Sequence, residues 1–243
     1  MRKFFLSIAV CLAAVNANAQ LNLQQHYDFG HLNSNLSNRP SMTTTIEYFG
    51  TDKWGSTYFF SDIDYYKDGV AGVYWEVSRE LSLYNHNTLG FHVEYDGGAQ
   101  CNQLYETGNR FQHAFLGGLA WNTHNKDFTR TFSAQLMYKY YFKGKYGGAF
   151  NSFQATAVWG LHFFDRKLSF TGFADLWYDH NIDNLIFLSE PQLWLNISAF
   201  KGCEDIHLSL GGEVELSNNF VYPIDGTNNR FYAIPTLAAK WTF

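Results

Sequence analysis

The sequence predicts an all-β fold: a single transmembrane antiparallel β-barrel of about twelve strands, with an N-terminal signal peptide that is removed. Three observations predict it. The chain closes on Leu237-Ala238-Ala239-Lys240-Trp241-Thr242-Phe243, where every second side chain is apolar and the last residue is aromatic. Aromatics make up 19% of the residues, yet no segment beyond the N-terminal stretch approaches the ~18 consecutive apolar residues of a spanning helix. Alternating segments recur along the chain with turn residues between them, and one face of these segments carries no charge.

The N-terminus reads as an export signal. Arg2 and Lys3 precede an apolar stretch from Phe4 to Val15, and Ala17-Asn18-Ala19 is a small-residue cleavage pattern. Cleavage is expected after Ala19, giving a signal peptide over 1–19 and an outer-membrane β-barrel over 20–243. Ile8-Ala9-Val10-Cys11 loosely resembles a lipobox, but Val10 is large for the residue before the cut. No linker, second domain or low-complexity segment is visible.

The strand windows follow in order. Window 22–30 turns His26 and Asp28 to one face, and 42–49 does the same with Glu47. Windows 55–64 and 70–78 place Tyr58, Phe60, Asp62, Asp64, Tyr74 and Glu76 on that face. Window 89–96 alternates Phe91, Val93 and Tyr95 with His92, Glu94 and Asp96. Window 114–122 contains Gly117-Gly118. Window 131–142 sets Leu136, Tyr138 and Tyr140 against Lys139, and 151–164 sets Phe153, Ala155, Ala157, Trp159 and Leu161 against His162. Window 168–178 brings Phe173 and Asp175 inward. Window 187–199 brings in Glu190 and Trp194, opposite Leu193, Leu195 and Ile197. Window 206–217 sets His207, Glu213 and Glu215 against Leu208, Leu210, Val214 and Leu216. The last, 231–243, turns Tyr232 and Lys240 inward and Trp241 and Phe243 outward. A charge facing lipid at mid-bilayer costs about 2–4 kcal/mol, so the uncharged face is the lipid face and the charged one the lumen.

The connections agree with an outer-membrane topology. With both termini in the periplasm, the long connections, near 31–41, 97–110 and 218–230, all face outward, while the short turns near 50–54 and 165–167 face inward. Cys101 and Cys203 then sit at opposite rims, too far apart for a disulfide. Pro191 and Pro235 fall inside strands, where each removes a ladder donor, and local bulges are expected there. Gly117-Gly118 and Gly211-Gly212 mark bends or places where an aromatic lies across the wall.

The lumen face is acidic, with eleven carboxylates against Lys139 and Lys240. Carboxylates attract cations and accept from hydroxyls, and aromatic faces stack on flat rings. Together they suit a small ring compound. Many of the carboxylates are expected to pair with loop cations such as Arg110 and Arg230. A net charge of −5 and the lack of a basic run argue against nucleic-acid binding, and no nucleic-acid partner is expected. No Cys/His spacing suits zinc, and no cofactor is expected. Twelve strands lie between a filled barrel and an open pore, so a narrow channel is expected.

Thr43-Thr44-Thr45-Ile46-Glu47-Tyr48-Phe49, Asp52-Lys53-Trp54-Gly55 and Tyr58-Phe59-Phe60-Ser61-Asp62-Ile63-Asp64 resemble the second and third strands of the Tsx family of nucleoside-specific outer-membrane channels. Gly172-Phe173-Ala174-Asp175 and the closing Lys240-Trp241-Thr242-Phe243 are similar in character. The wording matches over residues 43–64, and strand count and terminal Phe agree along the chain, as in a divergent branch. The resemblance implies a passive channel for nucleosides or similar small polar solutes, with Glu47, Tyr58, Phe60, Asp62 and Asp64 at lining positions.

The candidate solute-lining set is therefore Glu47, Tyr58, Phe60, Asp62, Asp64, Tyr74, Glu76, Glu94, Phe173, Asp175, Glu190, Trp194, Glu213 and Glu215. Trp241 and Phe243 form the candidate assembly signal. Expected partners are outer-membrane lipid, the barrel-assembly machinery and a small polar solute such as a nucleoside, with the chain a monomer and not an enzyme. Three alternatives stand beside this. One is a structural or surface-receptor barrel with a plugged lumen. Another is a lipid hydrolase using the His-x-Ser spacing of His207-Leu208-Ser209, although that register points both residues away from lipid. The third is a secreted soluble barrel with its faces reversed. Glu213 and Glu215, two apart on one face, leave cation binding open.

Overall fold

The computed structural model describes residues 19–67, 69–84, 88–100, 112–144 and 147–243. Residues 1–18, which hold most of the expected signal peptide, lie outside the described residues, as do Cys101 and Arg110. The strands are β1 (Ala19–Asp28), β2 (Met42–Asp52), β3 (Gly55–Tyr66), β4 (Gly69–Tyr84), β5 (Leu89–Gln100), β6 (Ala114–His124), β7 (Arg130–Tyr141), β8 (Phe150–Phe163), β9 (Leu168–Asp179), β10 (Asn184–Ser189), β11 (Gln192–Asn196), β12 (Leu208–Asn218) and β13 (Phe231–Thr242).

Each strand pairs antiparallel with its neighbours, and β1 pairs with β13 from Asn22↔Thr242 to Asp28↔Thr236. The apolar alternation at the end of the chain thus closes the wall, leaving no sheet edge. β10 and β11 both lie between β9 and β12 in one continuous register, so they are two halves of a single stave. The barrel has twelve staves.

The prolines correct the expectation of bulges. The ladder shifts register between Asp64 and Tyr65 and between Ser82 and Tyr84 instead. At Pro191 the stave breaks without slipping, because the flanking groups still bond: Glu190 N–H donates to Phe173 O (3.1 Å) and Val214 N–H to Pro191 O (3.0 Å). At Pro235 the ladder passes from Gly211↔Ala238 to Val214↔Pro235 with the register unchanged. Between them the Thr236 hydroxyl accepts from Glu213 N–H at 3.1 Å, standing in for a ladder carbonyl. A side-chain hydroxyl and an interrupted stave cost less here than an added residue.

Several ends also differ from the windows. β4 continues to Tyr84 and β5 to Gln100, shortening the connection expected at 97–110. Ile197–Ala199 is a short 3-10 turn rather than strand, and Phe29–Leu32 is another, started by Asp28 accepting from Gly30 N–H at 2.5 Å.

Outward side chains are exposed along the whole wall, as at Leu136 (67%), Leu237 (63%) and Leu119 (54%). Among the described residues, the charged side chains on the outward strand face are Asp52, Arg79 and Arg130. All three lie at the end that carries the termini, where Arg79 meets Asp52 at 2.7 Å.

Gly172 shows how tightly the broken stave is held. It adopts φ 153°, and a Cβ there would lie 2.5 Å from Glu190 O and 2.9 Å from Trp159 Cζ2. Gly172→Ala is therefore expected to cost on the order of 1–3 kcal/mol through strain and overlap. A lowered urea midpoint in lipid vesicles would show it, and an unchanged midpoint would refute the account.

Candidate functional site: the lumen

One cavity of about 2170 Å³ runs inside the wall, lined at the termini end by residues such as Thr123 and Thr242 and at the far end by Asn181 and Tyr222. Of the candidate set, Glu47, Tyr58, Phe60, Asp62, Asp64, Tyr74, Glu76, Glu94, Phe173, Asp175, Glu190, Glu213 and Glu215 all line it. Period-2 alternation puts them there, since each sits on the even- or odd-numbered face that its strand turns inward.

Trp194 differs. It is fully buried, with Lys240 Nζ 4.0 Å above its ring and its Nε1–H donating to Gln192 Oε1 at 3.0 Å. It belongs to a packed polar network along the β1–β13 seam. There His26 meets Thr236 Oγ1 and Gln24 Oε1, each at 3.0 Å, and Gln24 Nε2 donates to Glu47 Oε2 at 3.2 Å. Gln192 Nε2 holds Glu213 at 3.0 Å. These buried groups satisfy one another and stiffen the stave junction.

Beyond β2 from the seam, on β3 and β4, lies a run of rings. Tyr58 and Phe60 have centroids 6.0 Å apart, and Phe60 and Tyr74 5.9 Å, with tilted planes. Carboxylates flank the run. Thr45 Oγ1 donates to Asp62 at 2.5 Å, Thr43 Oγ1 to Asp64 at 2.7 Å and the Tyr74 hydroxyl to Glu76 at 2.7 Å. On β5 His92 Nε2 lies 3.1 Å from Glu94, and further round the wall Thr156 Oγ1 on β8 donates to Asp175 on β9 at 2.5 Å.

The cations are placed differently from the sequence expectation. Arg230 meets Asp225 within its own connection at 3.5 Å and reaches no lumen carboxylate. The cation that does is Arg39, carried inward by the first connection. Its Nη2 bridges Asp28 Oδ2 and Glu215 Oε2, both at 2.9 Å. Burial works against this charge, but Glu215 and Asp28 outweigh it and hold the guanidinium protonated beyond its ordinary range. Sequence reasoning missed Arg39 because nothing in a polar loop marks one residue as folding back. Glu215 is also held by Ser217 Oγ at 2.9 Å, so Glu213 and Glu215 do not form a free pair for a cation.

Lys139 is buried, 3.0 Å from Asp96 Oδ2. Carboxylate oxygens of Glu76, Glu94 and Asp96 gather within 4.8 Å of one another, and this ammonium is already their counter-charge. Towards the far end the inward face becomes apolar, where Leu116, Met137, Trp177, Ile186 and Leu188 pack together.

The His-x-Ser reading finds no catalytic pair. The Ser209 hydroxyl donates to Asn196 Oδ1 at 2.8 Å, while His207 lies against Trp241 with centroids 5.8 Å apart. Trp241 and Phe243 face outward and are exposed.

A family model described as a domain of unknown function, DUF5020, matches residues 19–243. The chain belongs to that family. No curated relative matches the sequence. Among solved structures, the fold is similar to the NanC porin, with TM-score 0.56 and 12% identity over 91% of this chain and 98% of that one. It is likewise similar to the COG4313 outer membrane channel from Pseudomonas putida F1, with TM-score 0.53 and 10% identity over 95% and 97%. At such identities the likeness establishes the barrel fold, shared with outer-membrane channels.

Proposed function

We propose that this member of the DUF5020 family is a monomeric outer-membrane channel for passive diffusion of nucleosides or similar small polar solutes, exported by a signal peptide, with no cofactor and no catalytic step. The uncharged middle of the outward face supports the membrane reading. So do two aromatic bands, one at each rim. At the far rim, Tyr95 contacts His113 and Phe115 with centroids 5.8 and 5.7 Å apart, and Phe142 continues the band. At the termini rim, Trp121 meets Phe132 at 6.1 Å. Such girdles sit at membrane interfaces. The terminal Trp241 and Phe243 suit recognition by the barrel-assembly machinery.

The observation that carries the solute class is the Tyr58–Phe60–Tyr74 run flanked by Asp62 and Glu76. A flat base can stack on the rings while carboxylates accept from its sugar hydroxyls. The resemblance over residues 43–64 points the same way. Single-channel recording of refolded protein in planar bilayers, with adenosine or glucose titrated in, tests this. Adenosine is expected to block saturably, and Phe60→Ala to weaken that block about 5- to 150-fold, the worth of ~1–3 kcal/mol of base stacking. Equal block by adenosine and glucose, or a block untouched by Phe60→Ala, would sink the solute assignment.

A receptor barrel with a closed lumen is the second reading, favoured by the apolar packing around Leu116 and Leu188 and by the inward-folded first connection. It requires that a correctly folded, heat-modifiable barrel carry no current.

A further inference from the structure

Glu190 occupies a singular position in this lumen. It lies at the break between β10 and β11, level with Phe173 at mid-height of β9. Counting round the wall, its stave is six of twelve from β4 and five from β3. It therefore stands opposite β4, and it lines the cavity together with Glu76 on β4, Asp62 on β3 and Glu213 next door. The other lumen carboxylates at this level each hold a donor: Asp62 has Thr45, Glu76 has Tyr74, Asp175 has Thr156 and Glu213 has Gln192. Among the described residues, Glu190 makes no side-chain hydrogen bond and no ion pair. The break in the stave, braced by Gly172 against Pro191 and Trp159, fixes where it points from.

We infer that Glu190 is the charge-selectivity residue of the channel, admitting cationic and neutral solutes past mid-lumen and turning back anions. This rests on the channel reading above. A carboxylate with no internal donor or counter-charge, facing other carboxylates around the lumen, acts on whatever ion passes it. The paired carboxylates act less, because their donors already take up part of their field. Solutes carrying an ammonium or guanidinium group are the class that gains most, and carboxylated or phosphorylated solutes the class that loses most.

The test is the reversal potential in a KCl gradient across planar bilayers, read on the full refolded chain. The unaltered protein is expected to prefer K⁺ over Cl⁻. Glu190→Gln is expected to lower the permeability ratio about threefold or more, the scale of one unit charge at close range in a wet passage. Glu190→Asp, which keeps the charge, should retain the preference, so that loss of shape is separated from loss of charge. Glu204→Gln, which removes a charge from an exposed turn where Glu204 Oε1 accepts from Gly202 N–H at 3.0 Å, should change nothing. A conducting Glu190→Gln channel with unaltered selectivity overturns the inference and leaves the channel standing. A folded barrel that carries no current in any form overturns both.

Discussion

Lys139→Met is expected to destabilise the barrel by about 3–5 kcal/mol, the usual cost of stranding one partner of a buried pair. Lys139 and Asp96 are 6% and 4% exposed, and their atoms meet at 3.0 Å. The ammonium also donates to Gln154 Oε1 at 2.8 Å and sits 5.2 Å from the ring centroids of both Tyr141 and Trp177. Asp96 has no second resource, since its Oδ1 is buried without a hydrogen-bond partner. Methionine fills the space of the alkyl stem but leaves the carboxylate beside Glu94 and Glu76 with no counter-charge. Urea titration in lipid vesicles, followed by tryptophan fluorescence, reads the loss. The double variant Lys139→Met/Asp96→Asn removes both charges and is expected to recover most of it. If the double variant is as unstable as the single, the damage comes from packing against Tyr141 and Trp177, and the ion-pair account fails.

The wall was legible in the sequence because a barrel repeats one local rule. Every stave exposes alternate residues to two different surroundings, so Leu136, Tyr138 and Lys139 declare their sides without knowledge of any partner. The closing strand was legible for the same reason, and Trp241 and Phe243 emerge on the face their spacing dictates. What the rule does not reach is whatever enters the lumen from elsewhere. Arg39 and Glu215 are 176 residues apart, and no period links them. Trp194 faces inward as its position requires, but neighbours on three staves bury it. Leu116, Met137, Ile186 and Leu188 point inward although apolar, because they pack against one another rather than against lipid or water. The prolines misled by a different route: a missing donor implied a bulge, whereas Thr236 and the gap at Glu190–Pro191 accommodate the loss within an unchanged register.

Arg39→Ala should have the other large effect, and it should act at a distance from the residue itself. Besides the Tyr66 hydroxyl, which donates to Asn38 O, three holds fix the first connection. Leu36 is 1% exposed, packed with Tyr232 and Ile234. Asn35 accepts from Ile224 N–H at 2.9 Å and from Asp225 N–H at 3.1 Å, tying the first connection to the last. Arg39 supplies the third hold, through Asp28 and Glu215, which are 7% and 8% exposed. Alanine would leave these two carboxylates facing each other without a cation, at a cost of about 3–5 kcal/mol. The connection is the weakest element bearing that load, so it is expected to detach before the wall opens. Limited proteolysis should then cut within residues 29–41 of the variant while the strands stay protected. Arg39→Lys, with a single ammonium in place of the fork that reaches both partners, should fall between the two. In an Asp28→Asn/Glu215→Gln background the alanine change should lose most of its effect, because no stranded charge remains. Persistence of the full loss there would mean that Arg39 acts through its stem rather than its charge. An intact connection in the simple Arg39→Ala variant would mean that Leu36, Asn35 and the Tyr66–Asn38 hydrogen bond are sufficient to hold it.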